Sequence, residues 1–170
     1  MGKWHPQSAL KSLLMEAGFD LELYLPLLTI QSLTQGLEGL NPAFDVDLLY
    51  LGPLMVDNRA LFSRRVKLRL EGRAVIAAES LCDEHSQFWQ TYLNCGTQSL
   101  GRRLFNGENM IERTSFEYAL IPAFLLPDFA QEGLEVDELI IARRSLFFKE
   151  AESLSLIEYY LPSLNHYQSK

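Results

Sequence analysis

Two charged residues stand at positions where strand periodicity would place apolar side chains. Residues two apart on a strand share a face, so Arg64 is in phase with the apolar positions of residues 66–70. In the same way, Glu158 is in phase with Leu154 and Leu156. A guanidinium turned towards an apolar face can hold a carboxylate through two parallel hydrogen bonds. We therefore treat Arg64 and Glu158 as the first candidates for a binding site.

Buried charges are costly unless they are paired or solvated by a polar ligand, so both residues need a partner. One interpretation is a buried ion pair between Arg64 and Glu158. Another is that Arg64 lies near a strand end and reaches solvent. The functional interpretation is a closed pocket for an anionic ligand, with Arg64 as a bidentate carboxylate clamp. The alternation of side chains along a strand does not by itself decide between these three interpretations.

Two basic doublets offer further cations but no specific site. Adjacent residues of a strand point to opposite faces, so at most one of Arg143 and Arg144 can serve the same pocket. A solvated surface pair is the favoured interpretation of this doublet. The same holds for Arg102 and Arg103, which follow a predicted loop or turn. Neither doublet is assigned to the candidate site.

Composition bounds the class of protein. The chain has 170 residues, of which 48% are hydrophobic, and this predicts one globular domain over residues 1–170. Lys and Arg number 15 against 22 Asp and Glu, so the net charge is −7. Such a balance disfavours binding to nucleic acid or to an anionic membrane surface. We expect a small-molecule partner instead.

The cysteines and histidines form no metal-ligand pattern. Cys82 and Cys95 are separated by a predicted helix, and the three histidines are scattered along the chain. The sequence therefore predicts no metal site. No stretch reaches the roughly 18 apolar residues of a membrane span. We expect a cytoplasmic protein whose thiols stay reduced.

The segments that must position Arg64 and Glu158 have the period of half-buried strands. Glu71-Gly72 predicts a hairpin turn with Gly72 at positive φ, and the last hairpin is expected to turn near residues 149–151. A helix is predicted from about Asp83 to Asn94. Further helices are expected near the N-terminus. Runs of antiparallel strands with helices at the start and middle predict an α+β fold built on a single antiparallel sheet.

Several motifs, taken together, resemble the chorismate pyruvate-lyase family. In chain order they are Ser32-Leu33-Thr34, Arg64-Arg65-Val66-Lys67-Leu68, Ser99-Leu100-Gly101-Arg102-Arg103-Leu104-Phe105, Arg113 with Phe116-Glu117-Tyr118, Ala142-Arg143-Arg144-Ser145 and Leu156-Ile157-Glu158-Tyr159-Tyr160-Leu161-Pro162. Each motif is weak alone, but their order and spacing also match. The resemblance spans about residues 30–162.

The resemblance implies a sheet of about six antiparallel strands with helices packed on it, and an enclosed site beneath helical flaps. It implies a cofactor-independent carbon–oxygen lyase that converts chorismate to 4-hydroxybenzoate and pyruvate, towards a quinone ring. By the same resemblance, Arg64 corresponds to the family's arginine that binds the carboxylate of the aromatic ring, and Glu158 corresponds to the glutamate that contacts the ring hydroxyl. Leu33 and Leu100 match ligand-lining positions. Whether Glu158 would act as acid, base or hydrogen-bond partner stays open.

One departure from the family pattern concerns strand 73–83. Glu79 stands where one branch of the family has an arginine, although a second branch carries a segment like Ala77-Ala78-Glu79-Ser80. This departure bears on the substrate more than on the fold.

The alternative function is a non-catalytic module that binds a small aromatic acid with the same fold. Ligand-sensing domains attached to winged-helix transcription regulators use this fold. Residues 1–40 are too short and too acidic for the DNA-binding partner of such a regulator, so a stand-alone binder and a lyase acting on a related compound stay open, and we expect a monomer.

Overall fold

The computed structural model describes residues 3–104 and 111–168, so Phe105, the last residue of one family-like motif, lies outside the described part. The α-helices are α1 (Leu10–Glu16), α2 (Leu21–Thr29), α3 (Leu33–Leu40), α4 (Gln87–Leu93), α5 (Leu100–Leu104) and α6 (Asp128–Gln131). The strands are β1 (His5–Pro6), β2 (Phe44–Val56), β3 (Arg59–Leu70), β4 (Arg73–Asp83), β5 (Glu112–Arg113), β6 (Glu117–Pro122), β7 (Leu139–Lys149) and β8 (Glu152–Tyr160). Short 3-10 helices cover Gln7–Ala9, Ala123–Leu125 and Pro162–Tyr167.

All strands of the described residues belong to one sheet in the order β1-β6-β7-β8-β4-β3-β2, with β5 paired to β7. Every pairing is antiparallel. The sheet has eight strands, but β1 and β5 contain two residues each, which leaves six longer strands. The predicted α+β fold with a single antiparallel sheet is confirmed.

The turns follow the local sequence, whereas one helix start was predicted wrongly. Glu71 and Gly72 both have positive φ, 53° and 74°, as a tight hairpin between β3 and β4 requires. The helix predicted from about Asp83 begins only at Gln87, because Asp83 is the last residue of β4. Ser86 is the N-cap, and its hydroxyl accepts a hydrogen bond from the backbone N–H of Trp89.

One face of the sheet is covered by the helices and carries the main core. Val66, Leu68, Leu154 and Leu156 are all buried in the same cluster of apolar side chains. This confirms the strand phase inferred from the sequence. Arg64 and Glu158 share that phase, and both are buried, with 3% and 7% of their surface exposed.

Helices α2 and α3 pack closely over this face. A Cβ atom at Gly36 would lie 2.9 Å from Leu27 Cδ2 and 3.3 Å from Ile30 Cγ2, so any other residue there would require these side chains to shift. The carbonyls in the last turn of α2 lack helical partners. Two of them accept hydrogen bonds from sheet tyrosines: Tyr160 donates to Leu27 O at 2.9 Å, and Tyr118 donates to Leu28 O at 2.6 Å. Side chains of the sheet thereby fix the end of α2.

The opposite face of the sheet holds a separate ion pair. Arg65 Nε donates to Glu79 Oε2 at 2.5 Å, and Ser63 Oγ donates to the same oxygen at 3.1 Å. The Arg65 guanidinium also lies 5.1 Å from the centre of the Phe129 ring. Arg65 and Glu79 therefore lie on the other side of the sheet from Arg64, as strand parity requires.

We expect Arg65→Ala to lower the free energy of unfolding by about 1–3 kcal/mol, because Glu79 would keep only the Ser63 hydroxyl as a partner. Urea unfolding followed by circular dichroism measures this change. Ligand binding should be unaffected, since the pair lies on the other face. A loss of binding in folded Arg65→Ala would contradict the separation of the two faces.

None of the helices within residues 3–104 and 111–168 is long and apolar enough to cross a membrane. These residues also contain no group of three or more His, Cys, Asp or Glu side chains that could hold a metal ion.

Candidate functional site

The residues inferred from the sequence meet at one small cavity between the helix-covered sheet face and helices α3 and α5. Its walls include Leu33, Arg64, Leu100 and Glu158, the four candidate site residues. Ser80 is a further wall residue that the sequence analysis did not assign to the site. The structure therefore brings all four candidates together, whereas their roles in binding stay predictions.

Arg64 is held by backbone carbonyls and not by a carboxylate. Its Nη2 donates to Gly96 O at 3.1 Å and to Gln98 O at 3.0 Å. Its Nε is buried and has no hydrogen-bond partner among the residues that the structure describes. Burial lowers the pKa of the Arg64 guanidinium, Cys95 partly offsets this effect, and the positive charge of Arg103 adds to it. A buried cation with an unused donor can donate a hydrogen bond to an anion.

Glu158 is paired with Arg143 and not with Arg64. Arg143 Nε donates to Glu158 Oε1 at 2.8 Å, and only 1% and 9% of the two side chains are exposed. The two residues are direct cross-strand partners on β7 and β8. Strand β4 lies between β8 and the strand that carries Arg64. The interpretation of a buried Arg64–Glu158 pair is therefore wrong, because the two strands are not neighbours.

Arg143 also docks helix α2 onto the sheet. Its Nη1 donates to Leu28 O at 3.3 Å and to Ile30 O at 2.5 Å, and its guanidinium lies 4.0 Å from the centre of the Phe116 ring. Burial by itself would lower the pKa of Arg143, but attraction to Glu158 outweighs this and raises it. A cation at the end of a helix also complements the negative end of the helix dipole. The surface-pair interpretation is wrong for Arg143.

Arg144, the other half of the doublet, does lie at the surface. It pairs with Glu117 at 3.0 Å. The sequence signal for the difference was present: Arg143 is in phase with Ile141 and Phe147, which are both buried. Phase within β7 shows which arginine points inward, but not which carboxylate it meets.

Helices α3 and α5 close the cavity from above. Thr34 on α3 and Ser99, just before α5, are hydrogen-bonded to each other through their hydroxyls. The enclosed volume is ≈ 30 Å³, which is room for about two water molecules. An aromatic ring needs more space, so the cover must move outward before such a ligand can enter. A larger open groove of ≈ 700 Å³ shares Val46 and Ser99 with the cavity.

Charges around the cavity leave one cation without an acidic partner. The described wall residues include Arg64 and Glu158 as the charged groups, and Arg143 neutralises Glu158 from behind. Arg64 therefore provides a net charge of about +1 at the cavity, which suits a ligand of charge −1. Glu79, where one branch of the resembled family has an arginine, points to the opposite face and pairs with Arg65, so this position adds no charge to the cavity.

The tyrosine that lies beside the Arg143–Glu158 pair predicts a loss of stability at alkaline pH. Burial raises the pKa of Tyr118 to about 12, the charge of Arg143 opposes this, and Glu158 adds to it. An unfolded tyrosine has a pKa of about 10. The stabilising contribution of the phenol is thus complete below pH ~10 and is lost as the pH rises towards ~12. We expect the urea midpoint to fall over this range, and to fall less steeply in Tyr118→Phe than in the wild type. Equal slopes would contradict the assignment.

No protein-family model matches the sequence, and no curated protein matches it. Solved structures do match. The crystal structure of PhnF from Mycobacterium smegmatis matches with a TM-score of 0.51 at 10% identity, covering 96% of this chain and 89% of that chain. The effector domain of the same protein matches with a TM-score of 0.50 at 12% identity, covering 71% of this chain and 82% of that chain. The C-terminal domain of a histidine utilization repressor from Pseudomonas syringae matches with a TM-score of 0.49 at 10% identity, covering 75% and 97%.

These comparisons correct the functional prediction. The structures that match with a TM-score of at least 0.50 are PhnF and the effector domain of PhnF, not a chorismate lyase, so the prediction of a chorismate pyruvate-lyase that feeds quinone synthesis is wrong. The charges of the site provide a physical reason. Chorismate carries two carboxylates, whereas one cation of the described cavity walls lacks an acidic partner. The alternative, a non-catalytic binding module, agrees better with the matches.

Proposed function

We propose that the protein is a non-catalytic module that binds a small aromatic acid in the cavity beneath α3 and α5. The observation that carries this proposal is Arg64, a cavity-wall cation that is 3% exposed and whose Nε has no hydrogen-bond partner in the described parts of the chain. A buried donor of this kind costs free energy until an acceptor arrives. The acidic group of a ligand would supply that acceptor.

The polarity of the cavity sets the orientation of the ligand. The carboxylate binds at Arg64, and a hydroxyl at the far end of the ring donates to Glu158. Arg143 Nε donates to Oε1 of Glu158, and the second oxygen, Oε2, is the atom that would accept the ligand hydroxyl. Apolar walls, including Leu33, Leu100 and Leu156, would contact the faces of the ring. Such a site recognises a hydroxylated aromatic acid without acid–base chemistry.

Entry requires the cover to open. The hydrogen bond between Thr34 and Ser99 joins α3 to the segment before α5, and the adjoining groove gives access at that point. The ligand passes from the groove into the cavity after this contact breaks. The association rate constant should therefore be lower than at a preformed site, because binding requires a conformational change.

Isothermal titration with 4-hydroxybenzoate tests the proposal. We expect one molecule to bind per chain, and the uncharged amide 4-hydroxybenzamide to bind at least about tenfold more weakly because it cannot use the charge of Arg64. Equal affinity for the acid and the amide, or no binding of either, would contradict the proposed function.

The remaining expectations belong to the same proposal. The module is one domain over residues 1–170, acts as a monomer and does not itself contact nucleic acid, in keeping with its net charge of −7. It works in the cytoplasm, where a reducing environment would keep Cys82 and Cys95 as the free thiols that the structure shows.

A further inference from the structure

The hydrogen bonds of Arg64 limit how it can hold an anion. A guanidinium can donate side-on to a carboxylate through Nε and the neighbouring Nη2. Both hydrogens of Nη2 are already used, one by Gly96 O at 3.1 Å and one by Gln98 O at 3.0 Å. A side-on clamp would have to displace one of these carbonyls. Nε can donate a hydrogen bond to a ligand without displacing either carbonyl.

A second possible donor lies on the adjacent strand and lines the same cavity. Ser80 on β4 is the direct cross-strand partner of Arg64 on β3. Directly paired residues have Cβ atoms about 4.5–5.5 Å apart on the same face. Ser80 is 2% exposed and forms part of the cavity wall, as Arg64 does. A hydroxyl in that position can donate to the carboxylate oxygen that Arg64 leaves unbound.

We propose that Arg64 Nε and the Ser80 hydroxyl together form the anion subsite, and that this subsite selects monoanionic carboxylates. This inference rests on the proposed function and adds the residue that determines its specificity. Each carboxylate oxygen receives one donor, and the loop carbonyls of Gly96 and Gln98 keep their bonds to Nη2.

The selection by charge follows from the groups around the subsite. The charged residues of the described cavity wall are Arg64 and Glu158. Because Glu158 pairs with Arg143, Arg64 is the one wall cation that lacks an acidic partner. A monoanion neutralises Arg64. A dianion, such as a phosphate ester above its second pKa of about 6, leaves a negative charge buried without a partner. The subsite therefore rejects dianions of the same length.

The experiment compares three ligands on three variants by isothermal titration at pH 8. The ligands are 4-hydroxybenzoate, the neutral 4-hydroxybenzamide and the dianionic 4-hydroxyphenyl phosphate. The variants are Ser80→Ala, Ser80→Thr, which keeps the hydroxyl, and Ser145→Ala as a matched control. Ser145 is a buried serine in the same cross-strand row, on β7, and it is separated from Ser80 by Leu156.

We expect Ser80→Ala to weaken 4-hydroxybenzoate binding by about 10- to 100-fold, the loss of one hydrogen bond to a charged group. Ser80→Thr should restore most of the affinity, and Ser145→Ala should bind as the wild type does. The wild type should bind the phosphate ester at least about tenfold more weakly than the carboxylate.

Each contrary result identifies what fails. Unchanged 4-hydroxybenzoate affinity in folded Ser80→Ala, with wild-type binding intact, overturns the role of Ser80 and leaves the proposed function standing. Phosphate-ester binding equal to carboxylate binding overturns the selection for monoanions. If the wild type binds none of the three ligands, the proposed function is contradicted and the subsite with it.

Discussion

Arg64→Ala is expected to weaken binding of 4-hydroxybenzoate by about 30- to 1000-fold, which corresponds to about 2–4 kcal/mol. The physical reason is that a ligand carboxylate would lie in an apolar cavity without its only cation. Arg64→Lys should recover little of the loss, because an ammonium cannot place a donor where Nε lies. Titration calorimetry of the folded variants measures the change.

Stability serves as the control for this variant. Gly96 and Gln98 are exposed, so water can replace the hydrogen bonds that Arg64 gives to their carbonyls. The free energy of unfolding should therefore change little, within about 1 kcal/mol. A variant that unfolds but binds normally per folded molecule would show that Arg64 is a structural residue.

Arg143→Ala should lower the free energy of unfolding by about 3–5 kcal/mol, the largest stability effect we expect in this chain. The substitution leaves Glu158 buried without its partner and removes the donor to Leu28 O and Ile30 O. For a chain of this size the thermal midpoint should fall by about 10 °C or more. Thermal unfolding followed by circular dichroism measures it.

A second substitution separates the two causes. In the double variant Arg143→Met with Glu158→Leu, no unpaired charge remains, so a large part of the stability should return. The part of the stability that does not return measures the hydrogen bonds that Arg143 donates to the carbonyls at the end of α2. If the double variant is as unstable as Arg143→Ala, the buried charge of Glu158 is not the main cause.

Strand phase made part of the site predictable from the sequence. Alternation with a period of two depends on local residues alone, so it placed Arg64 and Glu158 on the core face before any neighbour was known. The same rule placed Arg65 on the other face. These inferences needed no knowledge of which strands pair.

Strand order is what the sequence did not show. Both hairpins, β3 with β4 and β7 with β8, were predicted, but the register that pairs Arg143 with Glu158 was not. The position of β4 between β8 and β3, which separates Glu158 from Arg64, is set by long-range packing and has no local signal. Ser80 was missed because its role depends on the register that makes it the cross-strand partner of Arg64. The order of strands decided which interpretation of the charges was right.

The family-like motifs gave the fold correctly and the activity wrongly. The packing of helices on an antiparallel sheet depends on many residues and tolerates substitution. Activity depends on a few side chains of the site, which the fold alone does not specify.

A crystal structure of the wild-type protein grown with 4-hydroxybenzoate would show directly whether Arg64 and Glu158 hold the ligand. We expect the intact ligand inside the enlarged cavity, with its carboxylate about 2.8–3.0 Å from Arg64 Nε and its hydroxyl within hydrogen-bond distance of Glu158. The Arg143–Glu158 pair should be unchanged. A ligand that lies outside the cavity, or one inside it whose carboxylate does not contact Arg64, would show that Arg64 is not the anion-binding residue.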